Sequence, residues 1–418
     1  MIKHILKIIQ AQFRSNLWIL AELMVVFVAL WVMTDYYITQ RTLFNRPVGF
    51  NTDRVYKVAL SIKSEDSPSF IVYPKESEEP KQNFDIIVDR IRRHPDVEAV
   101  GLSMYSLPYI SSMSVRGLRK DSIEYWNVRQ YNVNPDYFRV FDIHTANGGS
   151  PDELASLIEK PGLIISSNLA EDFFNRTNVL GEELVSDKDT MKIIALTEPV
   201  RSDEYNDNMP YAWFARMDAL TQGDIPESTC MNIQITFRIR PNVNKAGFEK
   251  RFMKEMRQQL RAGNFWVSSI QSYNDIREKY LEKTSNSSGQ QVISSVMIFL
   301  LVNVFLAVIG SFWFRVSRRK EELGLRMAMG SSRGGLMLFT VVESLLLLLI
   351  ASLPALFICG NLVYADIVSA SSAESPLLRF VEVSVITWLV LAVIIILGVW
   401  YPAYRASKVA PSDALRAE

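Results

Sequence analysis

The sequence predicts an α-helical membrane protein with four transmembrane helices, arranged as one and then three, and a large mixed α/β extracytoplasmic domain of two lobes. Three observations carry this. Four apolar segments, Leu17 to Met33, Val292 to Phe314, Leu336 to Ile358 and Val383 to Trp400, each approach the ~20 residues that a helix needs to cross ~30 Å of hydrocarbon. A polar stretch of roughly 255 residues separates the first from the second. Within it, alternating strands and amphipathic helices recur in two groups far apart in sequence.

Residues 1–16 place Ile2, Ile5, Leu6, Ile9 and Phe13 against Lys3, Lys7 and Arg14. This suits an amphipathic helix in the cytoplasmic interface, with a frayed terminus as the alternative. The first span, 17–35, holds Glu22, and its apolar segment, ending at Met33, is followed by Thr34-Asp35-Tyr36-Tyr37. A cleaved signal peptide needs small residues there, so the segment reads as an uncleaved anchor, a buried globular helix being the other reading.

The outer domain spans 36–290. Arg54 to Ile62 alternates as a strand, Asn83 to Arg93 aligns Phe84, Ile87, Val88 and Ile91 on one helical face, and Val97 to Met104 is extended again. The pattern returns with the strand Met231 to Arg240, the helix Lys245 to Leu260 and the strand Phe265 to Ile270. Two such βαβ halves build one ferredoxin-like sheet, which assigns 50–124 and 229–272 to the first lobe. An inserted lobe, 125–228, carries strands at Val128 to Val133, Gly162 to Ser166 and Met191 to Leu196, and a helix near Asn168 to Phe174. Gln271 to Lys283 is charged and helix-prone, and Ser285-Asn286-Ser287-Ser288-Gly289 then reads as a hinge or a polar helix cap.

Three spans follow, 291–314, 336–360 and 383–401. The loop between the first two of these, 315–335, holds Arg315, Arg318, Arg319, Lys320, Arg326 and Arg333, while the loop 361–382 holds only Arg379 as a base, beside Asp366, Glu374 and Glu382. With Arg405, Lys408 and Arg416 in the tail 402–418, the positive-inside rule puts both termini and the basic loop in the cytoplasm. Three polar residues, Glu22, Asn303 and Glu343, stand inside the apolar segments. Intramembrane acids are costly and usually face protein or water. Glu22 and Glu343, each five to seven residues inside the cytoplasmic end, share a layer. Either they pair with bases such as Arg14 or Arg326 and lock the bundle, or they reach the interface unpaired.

Composition excludes much else. The 45 Lys and Arg balance 45 Asp and Glu, giving no basic bias toward nucleic acid. Cys230 and Cys359 fall in different phases and are not expected to pair, and His4, His94 and His144 show no metal-ligand spacing. There is no Gly-x-x-x-x-Gly-Lys-[Ser/Thr] loop, Gly-x-Ser-x-Gly elbow or His-Glu-x-x-His helix. The chain is expected to catalyse nothing and to hold no cofactor or metal.

The run from Arg318 through Gly330 to Arg333 with Glu343, and the tail Pro402 to Arg416, resemble the cytoplasmic loop and tail of MacB/FtsX-type ABC transporter permeases. Val133-Asn134-Pro135-Asp136-Tyr137-Phe138-Arg139-Val140-Phe141, Gly162 to Ser166 with Ala170, and Leu180-Gly181-Glu182 before Ile193 to Leu196 are similar to the MacB-like periplasmic core. The resemblance implies a coupling helix docked on a cytoplasmic ABC ATPase. Its candidates are Arg318, Arg319, Lys320, Glu321, Glu322, Gly324, Leu325, Arg326, Met327, Met329 and Gly330. Anionic lipid is the alternative partner of these bases. It further implies a bacterial inner-membrane location with the outer domain periplasmic, a homodimer or a heterodimer with a related permease, and contact with membrane lipid and with a periplasmic adaptor. ATP and Mg are expected in a separate ATPase subunit, because the chain starts about 16 residues before its first span, where MacB carries its ATPase. The function expected is relay of ATP-driven motion outward to expel a peptide, antibiotic or lipid-like substrate. Alternatives are a lipoprotein-releasing permease like LolC or LolE, an FtsX-like regulator of cell-wall hydrolases, and a receptor without an ATPase.

Overall fold

The computed structural model describes residues 2–11, 13–110, 112–186, 189–205, 211–217, 223–286, 289–318, 325–326, 329–365 and 376–407. They form two compact units, one of Met1–Thr42 with Asn286–Glu418 and one of Leu43–Ser285.

The first unit is helical: α1 (Ile2–Ala11), α2 (Phe13–Asn45), and three further long helices, Gly289–Arg318, Arg333–Tyr364 and Pro376–Ser407. Among the described residues, four helices are long and apolar enough to cross a membrane. Their shared core includes Phe27, Trp31, Val308, Leu347, Leu391 and Ile395. Ile5 and Ile9 of α1 are buried in it too, so these two side chains face protein. Outward-facing Ile298, Phe299, Leu306, Leu353 and Leu389 are more than half exposed, as a lipid-facing surface requires.

The second unit begins with β1 (Val55–Ile62), α3 (Glu79–Arg92) and β2 (Val97–Met104). α3 has Pro80 and Glu79 in its first turn and Arg90 and Arg92 in its last, the charge order that a helix dipole favours. The insert follows: β3 (Ser114–Lys120), β4 (Ile123–Val133), α4 (Asp136–Phe141), α5 (Pro151–Leu157), β5 (Leu163–Ser166), α6 (Ser167–Phe174), β6 (Glu183–Ser186), β7 (Asp189–Thr197) and β8 (Ala212–Arg216). The chain closes with α7 (Glu227–Asn232), β9 (Gln234–Ile239), α8 (Phe248–Met256), β10 (Arg261–Ala262), β11 (Phe265–Ser272) and α9 (Tyr273–Asn286). The last three long helices are α10, α11 and α12.

β11, β1, β9 and β2 lie side by side in that order, each antiparallel to its neighbour. β1-α3-β2 and β9-α8-β11 are therefore interleaved, which is the ferredoxin-like arrangement expected from the two βαβ halves. α3 and α8 supply Phe84, Ile87, Ile91, Phe248 and Phe252 to one core under this sheet. Met231 and Asn232, read from the sequence as strand, belong to α7, because the alternating pattern is cut short by the helix start after Pro226.

The inserted strands close on themselves. β4 pairs with β3, β3 with β6, β6 with β7, β7 with β5, β5 with β8, and β8 returns to β4. The result is a six-stranded ring that takes in β3, ahead of residue 125. Leu118, Val128, Leu163, Ile193 and Trp213 share a core with Leu169 and Phe173 of α6. The other side of these strands packs on α4 and α9 through Tyr131, Phe138, Phe141, Phe214 and Tyr273.

Asn134 joins ring and ferredoxin-like lobe. Its amide nitrogen donates to the Val100 carbonyl at 3.2 Å, and its amide oxygen accepts from the Leu102 N–H at 2.8 Å, extending the β2–β4 ladder by a side chain. Pro135 then starts α4 with a fixed φ, and Tyr137, Phe138 and Phe141 are fully buried.

Candidate functional site

Polar contacts inside the membrane unit decide which helices are held together. α10 presents Ser311 and Arg315, one turn apart and so on one face. The Ser311 hydroxyl lies 2.7 and 2.6 Å from the two Glu22 carboxylate oxygens of α2. Arg315 donates through Nη1 to Asn16 Oδ1 of α2 at 2.7 Å and through Nη2 to Glu343 Oε1 of α11 at 2.8 Å. Both members of the Arg315–Glu343 pair are largely buried, with side chains 10% and 3% exposed. Arg315 thus bridges three helices. The two acids do meet α10 in successive turns, and Arg315 is a basic partner of Glu343. Arg14 is exposed, and the Arg326 guanidinium lies 4.3 Å from the Phe339 ring centroid. Arg315 had been counted as a loop charge; α10 continues to Arg318 and draws it into the bundle. Asn303 is exposed and donates to the Phe299 carbonyl of its own helix, so it joins no cluster shown here.

At the other end of α2, Asp35 is 2% exposed and receives both Nε and Nη2 of Arg379 from the first turn of α12. One turn back on α2, Trp31 donates to Ser384 at 3.0 Å and its ring meets Phe380. The sequence did hold a signal for this, since Trp31 and Asp35, and likewise Phe380 and Ser384, are four apart and share helix faces.

The coupling candidates are only partly described. Arg318 ends α10, and Arg319, Lys320, Glu321, Glu322, Gly324 and Met327 lie outside the described residues, as do 366–375 of the short loop and 408–418 of the tail. Leu325 and Met329 are 50% and 73% exposed. A turn follows in which Ser331 N donates to the Arg326 carbonyl and Gly330 has a positive φ of 97°. Ser332 then caps α11 by accepting the Gly335 N–H at 3.1 Å. Two apolar side chains are therefore left in solvent beside a capped helix.

In the outer unit the connection between β7 and β8 forms a clasp. Arg201 N donates to the Val48 carbonyl at 3.0 Å, and its guanidinium donates to the Leu43 carbonyl at 2.9 Å. Gly49, at φ 78°, passes so close that an added Cβ would lie 2.1 Å from the Pro199 oxygen. On its other side the same loop holds α9. Glu204 Oε1 accepts from Arg277 Nε at 2.6 Å and from the Tyr109 hydroxyl at 2.9 Å, and Asp203 accepts from the Tyr280 hydroxyl at 3.0 Å. Asp203 and Glu204 are 1% and 5% exposed. Burial, then the neighbouring Glu204 charge, pushes the Tyr109 phenol well above its ordinary value. Burial opposes the Arg277 charge, but the hydrogen bond and charge of Glu204 outweigh it and raise the guanidinium. Sequence reasoning missed this clasp.

The comparisons fall on these two units. The FtsX-like permease C-terminal family matches residues 294–411, and the MacB-like periplasmic core domain matches residues 52–254. The chain belongs to the MacB/FtsX-like ABC transporter permeases. Relatives include the macrolide export ATP-binding/permease protein MacB of Vibrio parahaemolyticus, 22% identical over 322 residues, and that of Psychrobacter arcticus, 25% identical over 320 residues. These alignments cover 75% and 74% of this chain but 47% and 46% of the relatives, so the permease spans about half their length. The crystal structure of the periplasmic region of MacB from Actinobacillus actinomycetemcomitans covers 59% of this chain and all of its own, at 13% identity and a TM-score of 0.33. In this permease the periplasmic core match runs from β1 into α8, and the permease match holds Ser311, Arg315 and Glu343.

Proposed function

We propose that this chain is the transmembrane subunit of a mechanotransmitting ABC complex. A separate cytoplasmic ATPase, binding ATP and Mg, docks on the loop 315–335 and changes the shape of the periplasmic domain of a permease dimer. That motion expels a peptide, antibiotic or lipid-like substrate. The observation that carries the reading is the union of a MacB-like periplasmic core and an FtsX-like permease domain in one chain. The named relatives are ATP-binding/permease proteins for macrolide export, which supports export as the task. The basic loop, with exposed Leu325 and Met329 beside it, suits a docked protein better than water.

The test is native mass spectrometry of the tagged chain purified from membranes in mild detergent. Two copies with two copies of a Walker-type ATPase, lost in the R318E/R319E variant, are expected. A chain that purifies alone, or with a cell-wall hydrolase, overturns the proposal.

A further inference from the structure

Among the described residues, the membrane unit leaves one face of α10 uncovered. The span in α10, Ser294–Arg315, has 11% of its apolar stretch buried, against 28%, 44% and 33% for the other three. Val304 and Val308 turn inward with Ser311 and Arg315. On another face Val296, Phe299 and Leu306 are 49%, 66% and 61% exposed, and Asn303 and Gly310 are exposed between them. Val296, Asn303 and Gly310 recur every seven residues, the repeat of a left-handed two-helix seam. A Cβ added at Gly310 would meet nothing within 4 Å, so a second backbone has room to come close there.

Asn303 is the polar residue of this face. It lies nine residues after Ser294 and twelve before Arg315, about 14 and 18 Å along the helix and so near the middle of the hydrocarbon. Its amide nitrogen donates to the Phe299 carbonyl at 2.7 Å, and its amide oxygen has no partner among the described residues. Hydrocarbon offers that oxygen no donor, and leaving a polar group unpaired there is costly.

An amide carries both an acceptor and donors, so it complements itself. Two copies in one membrane run parallel, and a two-fold axis along the membrane normal sets the same residue of each at the same depth. We infer that α10 forms the seam of a homodimer, packed along Val296, Phe299, Asn303, Leu306 and Gly310 with the two Asn303 amides paired across the axis. A single amide at such a seam also fixes its register. The inference rests on the permease dimer of the proposed function and names the face at which its copies meet.

The test uses the full chain with the buried Cys230 and Cys359 replaced by Ala. Single cysteines are introduced as V296C, N303C and G310C, and as I298C and F305C, whose parent residues are 64% and 37% exposed on another side of α10. Oxidation in native membranes should join copies through the first three and at least tenfold less through the last two. Counted by single-molecule fluorescence in large liposomes, N303L should raise the dimer dissociation constant about tenfold, with its helical circular dichroism unchanged. Overturning results are cross-links as strong at 298 and 305, none at 303, or an N303L affinity equal to the parent's. A Walker-type ATPase that copurifies while α10 stays unlinked overturns the seam and leaves the proposed function standing; cross-links along α10 without that ATPase do the reverse.

Discussion

Replacing Glu343 by Leu and Arg315 by Met, singly and together, tests whether the buried pair locks the membrane helices. Removing one partner of a buried ion pair typically costs ~3–5 kcal/mol, whereas replacing both with apolar residues is close to neutral. In E343L, Arg315 keeps its bond to Asn16, which places the loss near the lower end, ~3 kcal/mol. In R315M, Glu343 loses this partner, and the loss should fall in the same range. The assay is a thermal melt of the detergent-solubilised chain followed by size-exclusion chromatography. A loss of ~3 kcal/mol corresponds to a drop of roughly 6–12 °C if the unit scales as a soluble domain of 150–250 residues. The double variant should recover most of it, giving a coupling energy near 3 kcal/mol. Single variants melting within a degree of the parent, or a double variant no better than the singles, refute the lock.

The other predictions concern the outer unit. G49A forces a side chain onto the Pro199 oxygen at positive φ, and should destabilise the domain by about 2 kcal/mol or more, read as a lower midpoint of domain unfolding. R277Q leaves Glu204 buried with one oxygen already unpartnered, and because the Arg277 side chain is 38% exposed the loss should be about 1–3 kcal/mol, seen as faster amide exchange along α9. Tyr109, Tyr131, Tyr137 and Tyr273 all have phenols raised by burial, so the folded state keeps protons that the unfolded state releases above pH ~10. Stability from these groups is complete below pH 10 and is lost as pH rises toward the folded values, by up to ~1.4 kcal/mol per tyrosine per pH unit. Absorbance at 295 nm should show four of the sixteen tyrosines failing to ionise until the domain opens. Burial pushes the Cys230 thiol up to about 12, so maleimide at pH 7 should leave it unmodified without denaturant.

What the sequence disclosed followed its periodicities. A period of two marked β1, β2 and β9, a period near 3.6 marked α3 and α8, and the separation of the halves already implied interleaving. The ring closure was hidden, because the parallel β4–β8 pairing joins residues about 80 apart with no pattern of its own. The clasp was hidden for a different reason. Arg201, Asp203 and Glu204 occur in a short charged loop, where composition suggests solvent, and only the fold reveals that all three are at most 5% exposed. Arg315 shows the same weakness within the membrane unit. Hydropathy ends a span at the first charge, whereas a helix continues through a charge that finds buried partners.

The two units share one feature that bears on motion. The chain passes from the membrane unit to the outer unit at residues 42–43 and returns at 285–286. On the outward crossing the clasp binds Leu43 and Val48, and on the return it binds Arg277 and Tyr280. A displacement of either connection is therefore passed to Val200–Tyr205 and from there to β7 and β8 of the ring. In the membrane unit Arg315 and Ser311 tie α10 to α2 and α11, while Asp35 ties α2 to α12. Hydrogen-bonded ion pairs have few alternative geometries, so helices joined this way move together rather than slide continuously. A push on the α10–α11 loop would then reach α2 and α10 as one displacement. Under the proposed function, loosening the clasp with R277Q should uncouple ATP-dependent change in the outer domain while leaving ATPase binding intact, whereas E343L should impair both.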